Sequence, residues 1–159
     1  MARNLLLGTI AGAAGTMALD LTTYGDMLLR GRPASDVPAQ VAGTIAAAVG
    51  IDLATGGASD EQTASRKSAL GALLGYLTGI GIGAVYGLLR PKLRSVPPPL
   101  AGVALGLVAM AASDVPIAAT GASDPRTWGV SGWTSDLIPH LVYGLVTVAT
   151  CEVVGGVPE

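Results

Sequence analysis

The chain is 159 residues long, half of them apolar, with 13% charged residues and a formal net charge of −2. Soluble domains carry about 25% charged residues, so a chain this poor in charge and with a mean hydropathy of +0.57 is suited to lipid rather than water. The absence of a basic excess excludes a nucleic-acid partner, and the lone Cys151 excludes an internal disulfide and a metal site built on thiolates.

The first apolar run covers 5–29, is interrupted by Asp20 and Asp26, and ends at Arg30-Gly31-Arg32-Pro33. Its opening, Arg3 followed by Leu5, Leu6, Leu7 and then Ala11-Gly12-Ala13, has the outline of a weak signal peptide. The apolar pattern continues to Leu19, so a retained first helix is expected. The second run, 37–51, is rich in Ala and about 15 residues long, short of the ~20 needed to cross hydrocarbon. Val37, Val41, Ile45 and Val49 recur every four residues, which fits an interfacial, re-entrant or short tilted helix.

Residues 52–67 read as the main polar loop. The third run, 68–89, has no charge and is long enough to span. Arg90-Pro91-Lys92 ends it, because proline cannot continue the hydrogen bonding and cations anchor at the interface. Val96-Pro97-Pro98-Pro99 is a stiff connector. The fourth run, 100–120, contains Asp114 and Pro116. Residues 121–132 read as a loop, and the indoles of Trp128 and Trp133 suit the membrane–water interface. The last run, 137–154, holds His140 near its start and Glu152 near its end, the latter expected at the headgroups.

The fold expected is an all-α, polytopic transmembrane helix bundle of about four spans plus one short interfacial or re-entrant helix, filling 1–159 as one membrane domain. Four spans put Arg3, Arg90, Lys92 and Arg94 on one side and Arg30, Arg32, Arg66, Lys67 and Arg126 on the other, too even a split to orient the chain. The pentapeptide Ala-Ser-Asp-Val-Pro occurs at 34–38 and again at 112–116, a hint of an internal repeat.

Gly71, Gly75, Gly79, Gly83 and Gly87 are spaced by four without a gap. On a helix they form a smooth groove, and in lipid close backbone packing drives helix association. The ladder either packs the third run against its own neighbours or forms the interface of a homo-oligomer. Gly8-x3-Gly12 and Gly102-x3-Gly106 are shorter versions.

A charge at membrane depth costs several kcal/mol and needs a reason. Asp36, Asp60, Asp114, Asp124 and Asp136 each follow a serine, and all but Asp60 precede a proline by one to three residues, a helix-capping signature. For Asp114, inside an apolar run, capping implies either a broken helix against a cavity or a span that ends near Ser113. Asp20 has no capping role. It is either hydrogen-bonded to Thr or Tyr of a neighbouring helix or part of a proton or cation site. His140 follows Asp136 by four and precedes Tyr143 by three, so the three are expected on one helical face, where the carboxylate could orient the imidazole. One histidine with scattered carboxylates would hold a cation only if Asp20 or Asp114 came close to His140.

Two patches, Gly12-Ala13-Ala14-Gly15-Thr16-Met17-Ala18-Leu19-Asp20 with Tyr24 beyond, and Asp136-Leu137-Ile138-Pro139-His140-Leu141-Val142-Tyr143-Gly144, resemble small bacterial membrane proteins of the YagU-like inner-membrane type and their actinobacterial relatives. The resemblance implies a bacterial cytoplasmic membrane and several spans, with no activity and no catalytic residue to transfer.

No P-loop, dinucleotide fingerprint, paired-histidine zinc motif or nucleophile elbow occurs, so no cofactor is expected and an enzyme is the least favoured class. The leading expectation is a small oligomeric channel or transporter for protons or cations, with Asp20, Asp114, Asp136, His140 and Tyr143 as candidate site residues. The alternative is an accessory or scaffold subunit of a membrane complex, carried by packing motifs alone. Either partners the bilayer, and either admits further copies of the chain or another membrane protein.

Overall fold

The computed structural model describes residues 1–155. Among these the chain forms five α-helices and no strand: α1 (Ala2–Arg30), α2 (Val37–Ala48), α3 (Asp60–Leu89), α4 (Pro98–Thr120) and α5 (Gly129–Gly155). Short 3₁₀ turns at Arg90–Lys92 and Pro125–Thr127 precede α4 and α5. Four helices are long and apolar enough to cross a membrane, and α2 is the short one. Its 12 residues rise only about 18 Å. The protein is thus a multi-pass membrane protein.

Helix ends follow local chemistry. Gly31 (φ 63°) and Gly121 (φ 70°) adopt the left-handed conformation that stops α1 and α4. At the start of α3, Ser59 accepts from the Gln62 amide while the Gln62 side chain accepts from the Ser59 amide. This capping box starts α3 eight residues earlier than the apolar run at 68 suggests.

Two further boundaries correct the expectations. α5 begins at Gly129 rather than 137, so Trp133 and Asp136 are helical. α4 runs unbroken from Pro98 to Thr120 with Asp114 and Pro116 inside it. Asp114 and Asp136 therefore cap nothing, and the expected break or early end at Ser113 does not occur. A proline inside a helix deletes one hydrogen bond, and packing against neighbouring helices holds the helix together around the gap. The Ala-Ser-Asp-Val-Pro echo takes two conformations: irregular chain entering α2 at 34–36 and continuous helix at 112–116.

Successive long helices run antiparallel, and their closest approaches are backbone to backbone. In α1 and α3, Gly8 and Gly12 face Gly83 and Gly87: a Cβ at Gly83 would stand 2.7 Å from the Gly12 nitrogen. In α4 and α5, Gly144 meets Gly102 and Gly106, and a Cβ at Gly144 would stand 2.8 Å from the Gly106 Cα. α1 also lies along α5, where Gly15 admits Tyr143 and Thr147. α2 leans on α3 at Gly71, whose added Cβ would come 2.8 Å from the Pro38 oxygen.

The core is thin and made mainly of small or medium side chains: Ala11, Ala101, Leu105, Ala109, Val148 and Cys151 around Tyr86 and Tyr143. Large aliphatic side chains such as Leu28, Leu77 and Val115 point outward. In water this would be inside-out. In a bilayer lipid tails solvate the leucines, and small residues let the backbones touch.

Candidate functional site

The glycine contact between α4 and α5 fixes the register of the polar residues further along both helices. Ser113 and Asp114 of α4 are brought to Asp136 and His140 of α5. The cluster lies seven residues before the end of α4, about 10 Å along the axis. It is mostly shielded: the His140 and Asp136 side chains are 13% and 21% exposed.

His140 Nδ1 lies 2.8 Å from the Asp136 backbone carbonyl and 3.2 Å from its carboxylate. Both are acceptors, so Nδ1 carries the hydrogen. Nε2 lies 3.3 Å from Ser113 Oγ. The same hydroxyl is 2.8 Å from the Met110 carbonyl and 3.5 Å from the Asp114 carboxylate. The Asp114 carboxyl interacts electrostatically with both Asp136 and His140. One oxygen of Asp136, Oδ2, is buried with no hydrogen-bond partner.

A serine hydroxyl has one hydrogen to give. Here three acceptors lie within reach: the Met110 carbonyl, which is nearest, His140 Nε2 and the Asp114 carboxylate. With a neutral ring, the serine hydrogen can turn from the Met110 carbonyl to Nε2. With an imidazolium, Nε2–H donates to Ser113 Oγ and the serine hydrogen turns to Met110. Both protonation states of His140 are hydrogen-bonded without moving a heavy atom. Sequence alone does not single out Ser113, because Ser-Asp-x-Pro reads as a cap. The pairing of Gly102 and Gly106 with Gly144 is the feature that could have aligned it with His140.

The other candidates lie elsewhere. Asp20 accepts a 3.0 Å hydrogen bond from the Tyr76 hydroxyl of α3, on the outer face of the bundle. Tyr143 turns away from His140 and donates 2.6 Å to the Gly79 carbonyl of α3. Asp136 and His140 share a face as expected, and Tyr143 belongs to the neighbouring one. Four of the ladder glycines, Gly71, Gly79, Gly83 and Gly87, meet other helices of the same chain, while Gly75 has open space around it. Among the described residues, no three His, Cys, Asp or Glu side chains are grouped so as to hold a metal ion.

Ion pairs mark both ends of the bundle. Near the cluster, Asp26 pairs with Arg30 at 2.7 Å and with Arg32, and Arg30 reaches Ser131 and Ser135 of α5. At the far end Arg90 grips both oxygens of Glu152, at 2.8 and 3.0 Å, joining the end of α3 to the end of α5.

Compared with known proteins, the chain matches no family, no curated protein and no solved structure.

Proposed function

We propose that this protein passes protons across the bilayer, with Ser113, Asp114, Asp136 and His140 as its binding station. The observation that supports this is the placement of Ser113 Oγ between His140 Nε2 and the Met110 carbonyl. A proton taken up at Nε2 leaves an imidazolium whose Nδ1–H faces Asp136. Loss of that proton to a neighbouring carboxylate or to water restores the neutral ring. Asp114 and Asp136 are two carboxyl groups near one another, and a proton held by one of them removes the repulsion between like charges. Ionisable groups that face a bundle interior at membrane depth typically mark ion and proton pathways.

The station binds and releases without covalent chemistry, so no enzymatic step is assigned to it. The resemblance to YagU-like proteins supports a bacterial cytoplasmic membrane, and the open surface at Gly75 supports a homo-oligomer. The test is proton flux into liposomes loaded with a pH-sensitive dye, comparing reconstituted protein with empty vesicles.

A second reading, an accessory or scaffold subunit with no transport of its own, is favoured by one observation. The Asp20–Tyr76 pair lies on the outer face, beside Gly75, where a partner helix would shield it from lipid.

A further inference from the structure

At the end of the bundle opposite the Ser113–His140 cluster lies a cavity of about 310 Å³. Tyr86 and Arg90 wall it from the end of α3, Leu93, Arg94 and Val96 from the connector, and Glu152 from the end of α5. The one carboxylate in this wall is already neutralised, because Arg90 holds both of its oxygens. Arg94 is exposed and, like Lys92 beside it, makes no ion pair with any described residue. The Tyr86 ring is buried next to the Arg90–Glu152 pair. The site thus joins a guanidinium with no ion-pair partner among the described residues and a phenol to an aliphatic wall of Leu93 and Val96. It sits where two helices long and apolar enough to span a membrane end.

We propose that this cavity binds the phosphate of an anionic phospholipid from the leaflet at which α3 and α5 end. Arg94 faces the phosphate, because a guanidinium fork matches phosphate oxygens. Leu93 and Val96 face the first carbons of the acyl chains. The preference for an anionic lipid follows from Arg94, which would repel the cationic headgroup of a zwitterionic lipid. Basic pockets between membrane helices recognise anionic headgroups by this chemistry. The inference is independent of the transport reading.

The test is native mass spectrometry of the purified full-length protein in micelles holding equal amounts of phosphatidylglycerol and phosphatidylcholine. Wild type is expected to retain phosphatidylglycerol about fivefold over phosphatidylcholine, the scale of one basic residue at a membrane surface. Arg94→Gln is expected to abolish that preference, and Arg126→Gln, at the opposite end, to keep it. Equal retention of the two lipids by wild type, or an equal loss in both variants, would overturn the proposal. Displacement of the lipid by soluble glycerol 3-phosphate at equal concentration would also overturn it, by showing a free phosphate ester to be the ligand.

Discussion

The Tyr143 hydroxyl donates a 2.6 Å hydrogen bond to the Gly79 carbonyl, tying the largest fully buried side chain of α5 to the backbone of α3. A Cβ at Gly79 would meet the Tyr143 ring at an ordinary 3.5 Å, and it is the Thr16 hydroxyl of α1 that needs the side chain to be missing. Tyr143→Phe keeps the ring and removes the bond. Hydrogen bonds between membrane helices are worth about 0.6 kcal/mol on average. Thermal unfolding in detergent should show a loss of roughly 1 kcal/mol or less, with proton flux unchanged. A flux defect in a stable Tyr143→Phe variant would put Tyr143 back in the site.

The glycine ladder divides into positions that tolerate a methyl group and positions that do not. A Cβ at Gly83 would stand 2.7 Å from backbone atoms of both Gly8 and Gly12. Backbone cannot swing aside as a flexible side chain can, so Gly83→Ala should cost roughly 1–3 kcal/mol by overpacking. Gly75 has nothing within 4 Å, and Gly75→Ala should be neutral or slightly stabilising, since Ala is the better helix former. Unfolding of the two variants side by side checks the contrast. A larger loss at Gly75 than at Gly83 would show that α3 packs the other way round.

Arg90 and Glu152 join the ends of α3 and α5 in a bidentate pair, yet the Glu152 side chain is 41% exposed. Solvent screening limits what such a pair contributes. A double-mutant cycle with Arg90→Gln and Glu152→Gln should give a coupling of about 1 kcal/mol or less. A coupling well above that would mean the pair is shielded by lipid or by a second copy.

Most of the fold is legible in the sequence, because apolar runs of membrane length with few charges admit few other structures. What misleads is the capping signature. Ser35-Asp36-Val37-Pro38 does introduce α2, but Ser113-Asp114-Val115-Pro116 and Ser135-Asp136 lie inside helices. The same few residues serve both contexts, and only the neighbours of α4 and α5 decide between them. The site is half legible. Asp136 and His140, four apart, meet as the helical period requires. His140 and Tyr143, three apart, differ by about 60° around the axis. On a helix with neighbours on several sides, that turn directs one toward α4 and the other toward α3. Ser113 could not be chosen without the antiparallel register of α4 and α5, which single-chain periodicity does not contain.

The measurement that bears most directly on the transport reading is proton flux in liposomes at matched reconstitution, comparing wild type with His140→Ala and Asp20→Asn. His140 is hydrogen-bonded to Ser113 and lies against Asp136, whereas Asp20 pairs with Tyr76 on the outer face. The expected result is flux above empty vesicles for wild type, a loss of at least about tenfold for His140→Ala in line with removal of a proton-transfer group, and near wild-type flux for Asp20→Asn. Wild-type flux no greater than that of empty vesicles, or flux that survives His140→Ala intact, would contradict it.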